Sequence, residues 1–225
     1  GEKLTILAAL WDAREGHAWS KFQSEHIPTA LFCEPSLQLV GMPGSQVGRN
    51  PLPTLDRLIE SFRGWGIEPG RPVVIYDTGQ GIFAARAWWT LRWAGVEDVR
   101  ILDGGFAAWS ALGYETVAGP GPVAVHTEQE VKPGSLPTAD IEDVRRYKST
   151  LIDAREPSRF RGQRERLDLK SGHIPGARNL PVESLFDDSG KILDKDHILE
   201  QFAKLGITHD TDPASAIAYS GSGNH

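Results

Sequence analysis

The residues of this chain best suited to chemistry form the run Ser220-Gly-Ser-Gly223, which directly follows an apolar stretch ending at Tyr219. Such a run is typical of a turn that leads from a strand toward a helix. Because glycine has no Cβ and adopts unusual backbone angles, the N–H groups of the turn can point together at one side chain or ligand. Converging N–H groups attract negative charge. The sequence therefore predicts an anion cradle around the side chain of Ser220.

Most motifs of the sequence occur twice, about 140 positions apart, which indicates an internal repeat. The first copy ends an apolar run on Asp77, and the second ends the equivalent run on Ser220. The other paired motifs are Asp12-Ala-Arg14 with Asp153-Ala-Arg155, and His26-Ile-Pro28 with His173-Ile-Pro175. Two similar domains are expected, and the candidate reactive site belongs to the second.

The paired aspartates and histidines are interpreted as structural residues, because they recur in the copy that ends on Asp77. We expect Asp12 and Asp153 to accept hydrogen bonds from nearby backbone N–H groups. His26 and His173 are expected to stabilise the turns in which they lie.

Short apolar runs alternate with amphipathic segments in both copies, and this alternation predicts an α/β fold with a parallel sheet and helices on both faces. In the first copy, strands are predicted at residues 5–9, 31–33, 73–76 and 99–102, and helices at 54–65, 83–94 and 106–112. In the second copy, strands are predicted at 151–152, around 180 and at 216–219, and helices at 138–147 and 196–205.

The stretch 118–137 is rich in Gly and Pro and is predicted to link the two copies. The expected domains are therefore residues 1–117 and 138–225, and the first is the silent copy. The second copy has no counterpart of the roughly 35 to 45 residues that follow Asp77 in the first copy, and a half-built sheet would expose a strand edge. We expect the C-terminal domain to be truncated, with the remainder a separate C-terminal polypeptide, a tail or a lost segment.

Composition narrows the possible partners and the compartment. The 225 residues carry a formal charge of −6, from 24 basic and 30 acidic residues without a basic block, which argues against nucleic acid and anionic membrane surfaces. No apolar run approaches the roughly 20 residues that span a bilayer, so a soluble protein is expected. The single cysteine, Cys33, excludes an internal disulfide, is predicted to be buried and inert, and favours a reducing, cytoplasmic location.

Several motifs taken together give the sequence its resemblance to a known family. They are Asp153-Ala-Arg155 with Arg159-Phe-Arg-Gly162, His173-Ile-Pro-Gly176, Leu102-Asp-Gly-Gly105 with Trp109, and the Ser220-Gly-Ser-Gly223 loop. Over essentially its whole length the chain resembles the tandem rhodanese-domain sulfurtransferases, which use thiosulfate or 3-mercaptopyruvate. The resemblance implies two rhodanese-like domains, a silent first domain, no cofactor and no metal. It also implies a cysteine in the second loop that becomes a persulfide.

Ser220 stands where the resemblance implies that cysteine. A hydroxyl is much harder to ionise than a thiol and forms no persulfide, so we expect the Ser220 form to be inactive in sulfur transfer. Two explanations remain open at this stage. The serine is an engineered replacement of a natural cysteine that traps or silences the enzyme, or the chain is a natural pseudoenzyme that uses the cradle to bind an anion or a partner.

The resemblance also implies roles for the neighbouring residues. Arg159 would hold the anionic end of the sulfur donor, Ser222 would bond the donor or its leaving group, and the remaining loop residues would supply backbone N–H groups. These loop residues are Gly221, Gly223, Asn224 and His225. The last two depart from the expected Val-Thr. The neutral loop favours 3-mercaptopyruvate over thiosulfate, and the acceptor would be cyanide or a thiol.

A second departure concerns the basic residues of the site. The family's second arginine is matched by Asp168, so we expect Arg164 or Arg166 to reach the same anion. Together with Arg161, these two arginines also fit a solvated surface cluster.

Overall fold

The computed structural model describes residues 3–166 and 168–223. It divides into two compact units, with the division between Thr138 and Ala139. Within the described residues, no helix has both the length and the apolar character that a bilayer crossing requires.

Unit 1 is a four-stranded parallel sheet with the strand order β2-β1-β3-β4. Its elements are β1 (Thr5–Ala9), α1 (His17–Ser24), β2 (Leu31–Cys33), α2 (Pro35–Gln38), α3 (Leu55–Trp65), β3 (Val73–Tyr76), α4 (Ile82–Trp93), β4 (Val99–Ile101) and α5 (Gly105–Ala111). The seven elements predicted in this half are confirmed to within one residue at each end. The short helices α1 and α2 were not predicted.

Helices cover both faces of this sheet, as predicted for a parallel α/β fold. Because side chains alternate along a strand, Leu7 and Ala9 of β1 pack with residues of α3 and α4, while Ala8 packs with residues of α1 and α5. The strand β3 lies between β1 and β4, and its side chains are almost entirely buried.

The predicted linker packs along unit 1 as irregular backbone. Gly119 N–H donates to the carbonyl of Gln23 at 2.8 Å, and Lys132 N–H donates to the carbonyl of Ala94 at 2.8 Å. Val131 packs against the larger core cluster. These contacts explain why the compact unit extends through Thr138.

Unit 2 is a three-stranded parallel sheet with the order β6-β5-β7, which repeats the β2-β1-β3 part of unit 1. Its elements are α6 (Ile141–Arg146), β5 (Thr150–Asp153), α7 (Pro157–Phe160), β6 (Arg178–Asn179), α8 (Lys195–Ala203) and β7 (Ala216–Tyr219), with 3₁₀ turns at Val182–Leu185 and Pro213–Ser215. The small core centres on Ile152, Leu180 and Leu205. Within residues 139–223, the described part has no counterpart of α4, β4 or α5.

Candidate active site

Ser220 lies at the carboxyl end of β7, where the backbone leaves the sheet. Its Oγ accepts a hydrogen bond from the N–H of Gly223 at 2.8 Å, so at least one amide of the predicted cradle points at this hydroxyl. Tyr219 is in parallel register with Asp153 of β5. The Asp-x-Arg motif and the Ser-Gly loop therefore meet at the same sheet edge. The predicted contributions of Asn224 and His225 lie outside the described residues.

Asp77 occupies the equivalent position in unit 1 and shows what such a loop can bind. Its carboxylate accepts hydrogen bonds from four backbone N–H groups of the following loop and helix start, at 2.9–3.3 Å, and the residue is only 3% exposed. The donors are Gly79, Gly81, Phe83 and Ala84. The first cradle is therefore filled by the protein's own anion. This geometry gives a physical reason to expect no chemistry at that loop.

Arg159 of α7 places its guanidinium directly against Gly221. A Cβ built on Gly221 would collide with Nη1 of Arg159, and it would lie 3.1 Å from Cζ of the same residue and 3.2 Å from Cδ of Arg155. The loop needs glycine here because the arginine side chains approach the backbone so closely. The structure thus brings together Arg159 and the Ser220 loop.

Two carboxylates of the segment after α7 pair with Arg159. Glu165 approaches Nη2 at 3.0 Å and Nε at 3.3 Å, and Asp168 approaches Nη2 at 2.8 Å. Glu165 was not singled out in the sequence, where it is one acid among the arginines of residues 159–166. Arg161, Arg164 and Arg166 are exposed, in agreement with a solvated cluster.

Arg155 connects the ion pairs around Arg159 to the strand β5. Its Nη2 donates to Asp153 at 2.6 Å and to the carbonyl of Gly172 at 2.7 Å, and its guanidinium lies 5.8 Å from the ring centre of Tyr219. Burial alone would raise the pKa of Asp153, but the hydrogen bonds from Arg155 outweigh it and leave that pKa below its usual value. Asp153 also accepts from the N–H of Arg155 at 2.9 Å, the anchoring role expected from the sequence.

The histidine motifs make matching contacts in both units. The ring of His173 stacks on Phe160 and its Nδ1 lies 2.7 Å from the Phe160 carbonyl, while His26 does the same with Phe22 at 2.8 Å. The next N–H, that of Ile174 or Ile27, donates to the hydroxyl of Tyr219 or Tyr76. These histidines hold the turn against the strand end, in agreement with a structural role.

Cys33 lies in the core of unit 1 with no exposed surface. Burial, together with the nearby Glu34, raises the pKa of this thiol above its usual value. A buried thiol that resists ionisation is a poor nucleophile, as expected from the sequence.

The sequence matches the family model of the rhodanese-like domain twice, over residues 2–112 and 139–225. A protein of Mycobacterium tuberculosis named as thiosulfate sulfurtransferase SseB is 36% identical over 216 residues, covering 93% of this chain and 75% of that protein. A protein of Pseudomonas aeruginosa named as a 3-mercaptopyruvate sulfurtransferase is 35% identical over 215 residues, covering 90% of this chain and 72% of that protein.

Solved structures of sulfurtransferases also match this chain. The chain superposes on the 3-mercaptopyruvate sulfurtransferase from Leishmania major with a TM-score of 0.79 and 26% identity, covering 98% of this chain and 62% of that one. For the 3-mercaptopyruvate sulfurtransferase SseA from Escherichia coli the TM-score is 0.79 and the identity 26%, with coverage of 96% and 81%. With the fold, the repeated motifs and these matches in agreement, the chain belongs to the rhodanese-like sulfurtransferase family and carries one rhodanese domain in each half.

Proposed function

We propose that the second unit carries a sulfurtransferase site centred on residue 220, active with a cysteine there and inactive with the serine present. The observation that carries this proposal is the hydrogen bond from the Gly223 N–H to the Ser220 Oγ. It lies at the end of a strand, and the Arg159 guanidinium lies against the next residue, Gly221. An anion at this position, a thiolate or a persulfide, would accept that bond more strongly than a neutral hydroxyl does.

The reaction that fits this site moves one sulfur atom in two steps. The thiolate attacks the outer sulfur of thiosulfate, the S–S bond breaks, and sulfite leaves with the electron pair. With 3-mercaptopyruvate, the C–S bond breaks, the thiol proton passes to carbon, and pyruvate leaves. Either step leaves a persulfide, whose outer sulfur passes to cyanide or a thiol.

The charge of the loop bears on which sulfur donor the site would accept. The Ser220–Gly223 loop carries no charged side chain, which favours the monoanion 3-mercaptopyruvate over the dianion thiosulfate. The names of the relatives include both donors. A thiolate carrier suits a reducing compartment, so a cytoplasmic location is part of the proposal.

Placing a thiol at residue 220 tests the proposal. In a chain whose second domain is complete, we expect Ser220→Cys to create turnover with thiosulfate or 3-mercaptopyruvate and, without acceptor, to gain the mass of one sulfur atom at residue 220. The unchanged chain should do neither, because Cys33 is buried. Ser222→Cys is the matched control, since it places a thiol in the same loop away from the strand end. No turnover by Ser220→Cys with either donor would reject the proposal.

Ser220 itself favours a second candidate function, a module that binds an anion or a partner without chemistry. This function predicts that the natural gene encodes serine at position 220. It also predicts that the unchanged chain binds sulfite or thiosulfate at the loop, with binding lost in Arg159→Ala.

We also propose that a partner polypeptide completes the second unit. Among the described residues β7 pairs with β5 alone, so its other side can accept a further strand. A separate C-terminal polypeptide would fit there.

A further inference from the structure

The ion pairs around Arg159 bear on which anions the loop can accept. Arg159 turns its Nη1 toward Gly221, while Nε and Nη2 face Glu165 and Asp168. A donor that approaches the loop therefore meets a guanidinium with one edge already engaged by the protein's own carboxylates.

The two carboxylates differ in their access to solvent. The Glu165 side chain is 5% exposed, and it also accepts from the backbone N–H of Asp168 at 2.9 Å. The Asp168 side chain is 36% exposed and lies at the outer end of the network. Glu165 thus fixes the backbone of Asp168, and Asp168 presents its negative charge beside the arginine at the solvent side.

The carboxylates paired with Arg155 and Arg159 oppose the binding of a highly charged anionic donor. Within the described ion pairs, the guanidinium groups of Arg155 and Arg159 are matched with three carboxylates. These carboxylates belong to Asp153, Glu165 and Asp168. Of these three carboxylates, that of Asp168 is the most exposed to solvent. Repulsion by the exposed carboxylate grows with the charge of the donor.

We propose that Asp168 is a specificity-determining residue that disfavours the binding of dianionic sulfur donors and favours that of monoanionic ones. This inference rests on the proposed function for its substrate and adds a residue that selects it. Asp168 competes with the donor for the outer edge of Arg159, and this competition weakens the binding of every anion. Its charge adds a penalty that is larger for thiosulfate than for 3-mercaptopyruvate.

The test removes the charge and keeps the shape. In the Ser220→Cys background, we expect Asp168→Asn to raise kcat/KM for thiosulfate relative to that for 3-mercaptopyruvate on the order of tenfold at low salt. The gain should shrink as added salt screens the charge. Asp188→Asn removes the same charge from an exposed position in another turn of unit 2, and it should leave the ratio unchanged. An unchanged ratio in Asp168→Asn, or an equal shift in Asp188→Asn, would overturn the inference.

A binding measurement separates this inference from the proposed function. Calorimetry on the Ser220 chain with thiosulfate and with pyruvate, a monoanion, needs no turnover. We expect Asp168→Asn to tighten thiosulfate binding more than pyruvate binding. If that shift occurs while Ser220→Cys turns over neither donor, the proposed reaction fails and the charge selection stands. Thiosulfate binding that is equal in both forms, or undetectable in both, contradicts the selection.

Discussion

At the scale of single residues, the two copies of the Asp-x-Arg motif use one geometry in two environments. Asp12 and Arg14 form an exposed pair at 3.1 Å, with the arginine side chain 69% exposed. Asp153 and Arg155 form a pair at 2.6 Å whose side chains are 0% and 9% exposed. Exposed pairs contribute little to stability, whereas breaking a buried pair leaves an unmatched charge. The charged pair of the same motif is therefore exposed in unit 1 and buried in unit 2.

The buried pair makes the stability of unit 2 depend on pH. Because the folded pKa of Asp153 lies below 3.8, its contribution is present above about pH 4 and is lost as the pH falls through the lowered pKa. We expect Asp153→Asn to reduce the free energy of unfolding by about 3 kcal/mol at neutral pH and to flatten its decline toward pH 2.5. Urea denaturation between pH 2.5 and 7 measures both effects. Asp12→Asn is the matched control, and an equal loss there would contradict this account.

At the scale of elements, the strand–loop–helix unit β3–α4 depends on one side chain. Asp77 accepts the N–H groups of Phe83 and Ala84 in the first turn of α4, together with two loop N–H groups. Gly81, which precedes the helix, makes no side-chain cap. Asp77 therefore caps α4 across the loop, and it does so with the carboxylate that fills the cradle.

Removing this carboxylate leaves four donors to be satisfied by water or by an added anion. We expect Asp77→Ala to lower the free energy of unfolding by about 2–4 kcal/mol. We also expect sulfate to restore part of the loss, because the emptied cradle would bind it. Thermal denaturation with and without sulfate measures both. Asp56→Ala, at an exposed position in the first turn of α3, should show neither effect. A loss at residue 77 without rescue would mean that the cradle collapses when empty.

At the scale of the whole molecule, the two units differ in how well they bury the strand that carries the loop. In unit 1, β3 is flanked by β1 and β4 and buried in a large core. In unit 2, the described residues pair β7 with β5 alone, and the core cluster centres on three buried side chains. Within the described residues, the candidate site thus lies on a strand with one neighbouring strand, whereas β3 has two.

Hydrogen exchange should reveal this difference directly. For this 225-residue chain, we expect the backbone amides of Ile217 and Tyr219 in β7 to exchange much faster than those of Val74 and Tyr76 in β3. Among the described residues β7 pairs with one strand and β3 with two, so local opening of β7 disrupts fewer contacts. Mass spectrometry of peptides that cover the two strands provides the measurement. Equal protection of β3 and β7 would mean that unit 2 is as stable as unit 1.

The sequence by itself determined the repeat, the α/β class, most of the strands and the position of the glycine-rich loop after β7. These features depend on local patterns: apolar runs such as residues 73–76, the helical spacing of apolar residues in α3 (Leu55–Trp65), and glycines around Ser220. The short helices α1, α2 and α7 were missed. The helices α2 and α7 have only four residues each, about one helical turn, which is too short to show a periodic pattern.

Only the tertiary structure decided which charges meet. The described residues of the segment 161–172 lie in no regular element, so no periodicity predicts that Glu165 and Asp168 turn toward Arg159. Burial likewise separates Asp153 from Asp12, although both lie in the same three-residue motif. Charge pairing depends on distances between side chains in space, and local sequence patterns specify backbone elements without fixing those distances.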